Sequence, residues 1–309
     1  MVIGVDLGGT KVAAARFDTA GNLLSKEYEL LDGATGEAVA LKLVAAVRKV
    51  LTPEVTGIGV CIPGIVWSAL GTCWAPNIPG WESFPLKAQL EAAFPGIAVR
   101  IESDRTCYIL GEVWKGAASG CRNAIYLAVG TGIGAGILLD GRIIHGASDI
   151  VGATGWMALQ PPYTEEYDAC GCFETYASGN GIGAQARKAL RAAKDYRGPL
   201  AAKPVDEVTS HDVFAALPSG DPIATAVIDK AVQLWGMATA NLVSLFNPEK
   251  VIFGGGVFGP AAALIPRIYE EACKWGQPIS MRQVAFCAST VEGEAALCGS
   301  AYLALKQYD

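Results

Sequence analysis

Short apolar runs joined by glycine-rich turns are the clearest pattern at the start of the chain. Residues 2–5 form one apolar run, residues 12–17 form the next, and the segment DLGGTK occupies positions 6–11 between them. Two apolar runs of strand length, separated by a turn with adjacent glycines, predict a β-hairpin. The tip of such a hairpin can lie flat against a ligand.

The same pattern recurs later in the chain. Residues 125–139 read as an apolar strand, the turn GTGIG and a second apolar strand. The two turns begin at Gly8 and Gly130, 122 positions apart. Repetition of a whole supersecondary unit predicts an internally duplicated architecture, in which two hairpins close on a polyphosphate from opposite sides.

Along the rest of the chain, the apolar pattern predicts strands that alternate with helices. Apolar residues 39, 43, 47 and 50 share one face of a predicted helix over residues 37–51, which is followed by a predicted buried strand. This alternation is typical of an α/β protein. Further predicted strands cover residues 56–62, 97–102 and 251–253. Further predicted helices cover residues 86–94, 105–114, 174–194, 221–246, 259–275 and 293–306. The loop at residues 115–123 is the predicted domain boundary.

Composition narrows the classes of function. The 309 residues suffice for two domains, and with 51% hydrophobic and 17% charged residues the chain can bury a large core. A net charge of −6 argues against a nucleic-acid surface. No apolar segment approaches the ~20 residues that a membrane span needs, and no leader precedes the first strand, so we expect a cytoplasmic protein without membrane contact. Most of the nine cysteines are expected to be reduced core residues and not a disulfide framework.

Adjacent glycines at the hairpin tips suit phosphate binding. Without a Cβ, their N–H groups can approach phosphate oxygens closely, and Thr10 adds a hydroxyl donor. Asp6 lies at the strand end, where its carboxylate could hold Mg²⁺ through water. An ordinary tight hairpin is the alternative interpretation. A third glycine cluster, at residues 254–256, could leave room for a flat ring or a sugar on the backbone; the alternative is a tight strand-to-helix turn. Taken together, the three clusters favour a nucleotide as the ligand.

These motifs carry a family resemblance. DLGGTK at 6–11, GTGIG at 130–134 and IFGGGV at 252–257 resemble the two phosphate motifs and the adenosine motif of the actin-like sugar kinases. More narrowly, the chain resembles the ROK family of repressors, open reading frames and sugar kinases. IPG at 62–64 and APNIPGW at 75–81 resemble its sugar-cleft loops, and GCFE at 171–174 resembles its GCLE element.

The resemblance implies an actin-like, ribonuclease H-like duplicated α/β fold, with two domains flanking a cleft. The expected domains are residues 1–117 together with the C-terminal helix within 292–309, and residues 118–291. It also implies a homodimer and transfer of the γ-phosphoryl group of ATP to a sugar hydroxyl with Mg²⁺. Family repressors have a helix-turn-helix before the first hairpin, and the lack of residues for one here favours a kinase.

The resemblance also assigns site residues. The catalytic base is expected to be Asp104, which follows a predicted strand; its alternative role is the N-cap of the next helix, and both roles are compatible. The expected substrate contacts are Gly64, Asn77, Ser103, Asp104, Trp156 and Glu174. The expected ATP contacts are Asp6, Gly8, Gly9, Thr10, Lys11, Gly130, Thr131, Gly132, Gly254, Gly255 and Gly256, with Asp6 also placed near Mg²⁺.

Several family positions differ in this chain. The usual Gly-Glu-x-Gly-His element reads GATGW at 152–156, and the usual asparagine before the base is Ser103. Only Cys170 and Cys172 remain of the zinc-binding loop, so no structural zinc is expected. Trp156 is expected either to offer its indole to a sugar ring or to fill the core. Four nearby acids are candidates for replacement sugar contacts, although solvated loop charges are the alternative: Asp149, Glu165, Glu166 and Asp168.

Three functional hypotheses fit these observations. The first is an ATP-dependent kinase of a hexose or hexose-like ring, such as an amino sugar or a cyclitol. The second is an ordinary glucokinase or fructokinase with rebuilt sugar contacts. The third is a non-catalytic sugar or nucleotide sensor, which the presence of Asp104 beside both phosphate turns disfavours. The acceptor, the hydroxyl that is phosphorylated and the choice between ATP and polyphosphate stay open.

Overall fold

Two five-stranded sheets with the same strand order form the centre of the molecule. A computed structural model describes residues 1–291 and 293–305. The sheets have the orders β3-β2-β1-β4-β7 and β10-β9-β8-β11-β12, and β5 pairs with β6 in a small separate ribbon. The strands are β1 (Val2–Leu7), β2 (Lys11–Phe17), β3 (Leu23–Leu30), β4 (Gly57–Ile62), β5 (Ile65–Trp67), β6 (Thr72–Trp74), β7 (Ala98–Ser103), β8 (Ala124–Val129), β9 (Ile133–Leu139), β10 (Arg142–Ile143), β11 (Lys250–Gly254) and β12 (Ala285–Ala288).

Strand directions repeat between the two sheets. In the first, β1 pairs antiparallel with β2 and parallel with β4, and β4 is parallel to β7. In the second, β8 pairs antiparallel with β9 and parallel with β11, and β11 is parallel to β12. The two predicted hairpins therefore occupy equivalent places, which confirms the predicted duplication.

Ten α-helices cover the sheets within the described residues. They are α1 (Glu37–Val50), α2 (Leu86–Ala93), α3 (Asp104–Lys115), α4 (Cys172–Ala177), α5 (Gly179–Ala192), α6 (Ser210–Ala216), α7 (Pro222–Phe246), α8 (Ile265–Cys273), α9 (Pro278–Gln283) and α10 (Ala295–Leu305). Helices α1 and α2 pack on the first sheet, and α4, α5 and α7 share a core with the second sheet. No helix in residues 1–291 and 293–305 combines the length and the apolar character that crossing a bilayer requires.

Helices α3 and α10 pack against each other between the sheets at unusually short range. A Cβ placed on Gly59 of β4 would lie 1.8 Å from the carbonyl oxygen of Ser300, so α10 rests directly on the first sheet. A Cβ on Gly299 would lie 1.7 Å from the Cys107 carbonyl oxygen of α3. On its other side, α3 packs on the second sheet through Ile109.

Some predicted elements differ from the observed ones. The single helix predicted over residues 174–194 is two helices, because Ser178 has extended backbone and caps α5 by accepting a hydrogen bond from the Gly181 amide. The segment predicted as helix from residue 259 begins as a 3₁₀ helix, Pro260–Leu264, before α8. The helix predicted over residues 293–306 is α10, and residue 306 lies outside the described residues. The sequence pattern did not predict strands β3, β5, β6, β10 and β12 or helices α6 and α9.

Candidate active site between the two hairpins

Asp104 lies at the junction of β7 and α3, at the C-terminal edge of the first sheet. Ser103 is the N-cap of α3, since its hydroxyl accepts a hydrogen bond from the Thr106 amide at 3.4 Å. Asp104 is the first helical residue, and its Oδ1 accepts a 2.8 Å hydrogen bond from the Arg105 amide. The alternative that Asp104 caps the helix is therefore wrong. The hydroxyl of Ser103, an expected sugar contact, is engaged by the helix.

Burial raises the pKa of Asp104 to about 6. The neighbouring Arg105 charge and its amide oppose this rise, while the carboxylate of Asp6 adds to it. A carboxyl group with such a pKa is mostly ionised at neutral pH yet basic enough to accept a proton during catalysis. These are the properties required of a general base.

Asp6 is on β1, at the same edge of the first sheet. It pairs in register with Cys61 of β4. Burial raises the pKa of Asp6, whereas the Cys61 thiol and the Lys11 charge lower it. Asp6 lies two positions before Gly8 of the first glycine turn in the chain, and the residue as a whole is half-buried. Mg²⁺ prefers hard oxygen ligands and is commonly bound by one or two carboxylates together with phosphate oxygens. The carboxylate of Asp6 is therefore chemically suited to hold the predicted Mg²⁺.

The two glycine turns are built differently. In the first turn, the Gly8 amide donates to the Lys11 carbonyl oxygen at 2.9 Å, and Gly9 and Thr10 are exposed. In the second turn, the Gly130 amide donates to the Gly132 carbonyl oxygen, also at 2.9 Å. The Gly130 carbonyl oxygen then accepts from the Gly179 amide at 2.8 Å. The second turn is thereby anchored to the first residue of α5.

Two cavities lie beside the glycine-rich motifs. One, of about 420 Å³, is lined by the predicted residues Gly130, Thr131 and Gly256 together with residues that the sequence did not indicate, Asn180, Arg187 and His211. The other, of about 580 Å³, is lined by Asp6 and by Gly254, Gly255 and Gly256. The glycine cluster thus borders both. Gly255 has φ 86° and no room for a Cβ, which would lie 2.5 Å from the Val129 carbonyl oxygen.

Glu174 joins the second turn to the loop that replaces the family's Glu-His element. Its Oε2 accepts a hydrogen bond from the Ile133 amide at 2.6 Å. Cβ atoms placed on Gly132 or Gly155 would each lie 2.7 Å from the same oxygen. Burial raises the pKa of Glu174, and the Ile133 amide opposes this. In this position the carboxylate supports the turn backbone.

Trp156 belongs to the same loop and is 57% exposed. The alternative that it fills the core is therefore wrong. Gly171, with φ 84°, passes so close beneath the loop that a Cβ there would lie 2.4 Å from the Trp156 Cα. The indole is held on a well-anchored backbone with much of its surface open to a ligand.

The expected sugar contacts Gly64 and Asn77 lie on loops that follow strands of the first sheet and of the small ribbon. Gly64 passes close to β6, because a Cβ there would lie 2.0 Å from the Trp74 carbonyl oxygen. The loop at 75–81 is anchored by buried Trp81, whose Nε1 donates to the Gly36 carbonyl oxygen at 2.9 Å. Asn77 is exposed on this loop. Its amide is therefore accessible to a ligand.

Most of the acids considered as replacement sugar contacts have protein partners. Asp149 accepts hydrogen bonds from the amide and the hydroxyl of Ser68, both at 3.0 Å. Glu166 forms an exposed ion pair with Lys188 at 2.5 Å. Asp168 accepts a hydrogen bond from the Tyr163 hydroxyl.

The two cysteines of the former zinc loop have separate neighbours. Cys170 Sγ lies 3.5 Å from Thr175 Oγ1, and Cys172 Sγ lies 4.0 Å from the Gln160 carbonyl oxygen. Across residues 1–291 and 293–305, no group of three or more His, Cys, Asp or Glu side chains could hold a metal ion.

Comparisons with known proteins agree on one family. A sequence profile of the ROK family matches residues 2–307. The chain is 32% identical to a glucokinase of Halalkalibacterium halodurans over 99% of this chain and 95% of the relative. It is 29% identical to an N-acetyl-D-glucosamine kinase of Escherichia coli O6:H1, over 93% of this chain and 98% of the relative.

A solved structure extends the similarity to three dimensions. The ROK family glucokinase of Streptomyces griseus, crystallised with glucose and AMPPNP, superposes with a TM-score of 0.80 at 29% identity, covering 98% of this chain and 99% of that one. The fold is the duplicated α/β fold of the actin-like sugar kinases. With the family profile spanning nearly its whole length, the chain belongs to the ROK family.

Proposed function

We propose that this protein is an ATP-dependent kinase that phosphorylates a hydroxyl of a hexose or hexose-like ring. The observation that carries the proposal is Asp104, a carboxyl group with its pKa raised to about 6, at the sheet edge that also holds Asp6. The kinases named among its relatives support the same chemistry.

In the proposed reaction, Asp104 acts as the general base. The sugar hydroxyl oxygen attacks the γ-phosphorus of ATP, its proton passes to the Asp104 carboxylate, and the bond to the bridging oxygen breaks to release ADP. The Arg105 amide fixes the orientation of that carboxylate. Positioning and charge stabilisation account for most of the catalysis in phosphoryl transfer.

The two glycine turns would hold the phosphates, and the cavity beside Arg187 and His211 would hold the nucleoside. Asp6 would hold Mg²⁺, directly or through water. When bound, the ion neutralises phosphate oxygens in the transition state. The proposal includes contacts with ATP from these motifs: Asp6, Gly8, Gly9, Thr10, Lys11, Gly130, Thr131, Gly132, Gly254, Gly255 and Gly256.

The acceptor site would be formed by Gly64, Asn77, Trp156 and Glu174 around Asp104. Trp156 would offer its indole face to the apolar side of the ring, and Ala153 would leave space for a ring substituent, as on an amino sugar. The rebuilt loop at 152–156 is the observation that favours an altered acceptor, such as an amino sugar or cyclitol. The alternative is ordinary glucokinase or fructokinase activity with rebuilt contacts.

The same proposal includes the assembly and the domain division. The first domain would comprise residues 1–117 with the C-terminal helix, since α10 rests on β1 and β4, and the second would comprise residues 118–291. A homodimer in the cytoplasm is the arrangement that the family resemblance implies.

An ADP-release assay over a panel of acceptors tests the proposal. The panel contains aldohexoses, ketohexoses, amino sugars, N-acetyl sugars and inositols, each with ATP and Mg²⁺, and with polyphosphate as the alternative donor. Turnover of at least one ring compound is expected with ATP. Absence of turnover on every acceptor with both donors, combined with retained ATP binding, would favour the non-catalytic sensor.

A further inference from the structure

An ion pair links the two halves of the molecule next to the proposed base. His145 Nε2 lies 2.7 Å from Glu102 Oε1. Glu102 is on β7 of the first sheet, two residues before Asp104, whereas His145 follows β10 of the second sheet. The side chains are 41% and 19% exposed, so the contact is partly shielded from solvent.

A second contact joins the halves four residues further on. Asp149 accepts hydrogen bonds from the Ser68 amide and hydroxyl, both at 3.0 Å, and Ser68 directly follows β5. Asp149 has φ 59°, a left-handed conformation that costs free energy for a residue with a Cβ. The two hydrogen bonds to Ser68 help to offset that cost.

Both contacts lie on the segment that leads to the rebuilt acceptor loop. Gly152, three residues after Asp149, is fixed to β9, because its carbonyl oxygen accepts from the Ala135 amide at 2.8 Å. A Cβ on Gly152 would lie 1.8 Å from the Ala135 carbonyl oxygen. Residues 145–156 are therefore held to the first sheet at one end and to the second sheet at the other.

We propose that Glu102–His145 and Ser68–Asp149 form an interdomain clasp that positions the acceptor loop at 152–156 relative to Asp104. This inference rests on the proposed kinase function. The clasp residues are positioning residues: they act through the segment that carries Trp156 and through the strand that carries Asp104. Opening the clasp should therefore weaken sugar binding more than it slows the chemical step.

Protonation of His145 should control the strength of the clasp. Its hydrogen bond with Glu102 raises the pKa of His145; burial opposes this, and the charges of Glu102 and Asp149 add to it. Because the pKa is raised in the folded protein, the ionic contact is complete at low pH and is lost as the pH rises through that pKa. Arg100, Arg142 and Lys87 line the same cavity as Glu102 and His145.

The experiment measures KM for the best acceptor of the panel, and kcat, from about pH 6.5 to about pH 9 with saturating ATP. In the wild type, KM for the sugar is expected to rise about three- to tenfold over this range while kcat changes little, as befits loss of about 1 kcal/mol from one partly exposed ion pair. At every pH, H145Q should have a KM near the high value that the wild type reaches at alkaline pH. H145K, which keeps the charge, should have a KM near the low value of the wild type throughout.

Glu102→Gln provides the partner test. Combined with H145Q it should raise KM no further than either change alone, because both remove one interaction. Asp229→Asn is the matched control, since it breaks a surface ion pair with Arg267 at 2.7 Å away from the cleft. Equal pH profiles of KM in wild type and H145Q, or effects that multiply in the double variant, would overturn the clasp.

A measurement without sugar keeps the two proposals separate. Hydrogen exchange of the free protein at one pH near neutrality should be faster at residues 145–156 in H145Q than in wild type, with α7 unchanged. Unchanged exchange at residues 145–156 would refute the clasp whatever the activity. Failure of the wild type to phosphorylate any acceptor would instead refute the proposed function.

Discussion

The Ile133 amide donates a 2.6 Å hydrogen bond to the Glu174 carboxylate, which fixes the second glycine turn to helix α4. The same oxygen lies so near Gly132 and Gly155 that neither has room for a side chain. One carboxylate thus sets the distance between the proposed phosphate turn and the proposed acceptor loop. The family resemblance alone suggested only a sugar contact for this residue.

Glu174→Ala is predicted to raise KM for ATP about tenfold or more. A hydrogen bond to a charged group contributes about 1.5–3 kcal/mol, and its loss frees the backbone of the phosphate turn. Steady-state kinetics with each substrate varied in turn provide the test. Glu166→Gln, which alters an exposed ion pair, is the control. A rise in KM for the sugar with an unchanged KM for ATP would show that Glu174 acts on the acceptor alone and does not support the phosphate turn.

Asp104→Asn is predicted to lower kcat by about 10²- to 10⁴-fold, because the amide cannot accept the hydroxyl proton. ATP affinity, measured by calorimetry, should stay near the wild-type value. The variant should melt no earlier than wild type at neutral pH, since ionising a carboxyl group whose pKa is raised by burial costs free energy in the folded state. Activity near that of wild type would exclude Asp104 as the base.

The pH dependence of kcat/KM should have an acid limb near pH 6. Below that value Asp104 is protonated and cannot act as a base, and above it the carboxylate is available. The rate of the wild type should therefore fall about tenfold per pH unit on the acid side. The residual activity of D104N supplies the control, because it should lack this limb. A limb that persists in D104N would belong to another group.

Gly59→Ala is predicted to lower stability, whereas Gly9→Ala is predicted to weaken ATP binding at unchanged stability. At Gly59 the new Cβ would collide with the Ser300 carbonyl oxygen and push α10 off the sheet, lowering the free energy of unfolding by about 3 kcal/mol or more. At Gly9 the Cβ meets nothing within 4 Å, so stability should hold while KM for ATP rises. Thermal melts and kinetics of both variants provide the test. Equal melting temperatures would contradict the packing argument.

The sequence predicted the parts of this site that depend on local pattern. Both hairpins, the duplication and the strand end before Asp104 follow from apolar runs and glycine turns. Contacts between distant residues left no such signal. Arg187 and His211 reach the proposed nucleoside cavity only because α5 and α6 pack beside the second turn. Likewise, Glu102 and His145 meet because the two sheets are juxtaposed, which no spacing along the chain encodes.

Trp156→Ala is predicted to raise KM for the acceptor about three- to tenfold, the loss expected for one aromatic face worth about 0.5–1.5 kcal/mol. Because the indole is 57% exposed, the melting temperature should change little. Trp275→Ala is the matched control: that indole follows α8 and is also 57% exposed, but its Nε1 donates a hydrogen bond to Glu271 within α8. W156F should recover most of the affinity, since it keeps an apolar ring face. If W156A and W275A have the same acceptor KM, Trp156 does not contact the sugar.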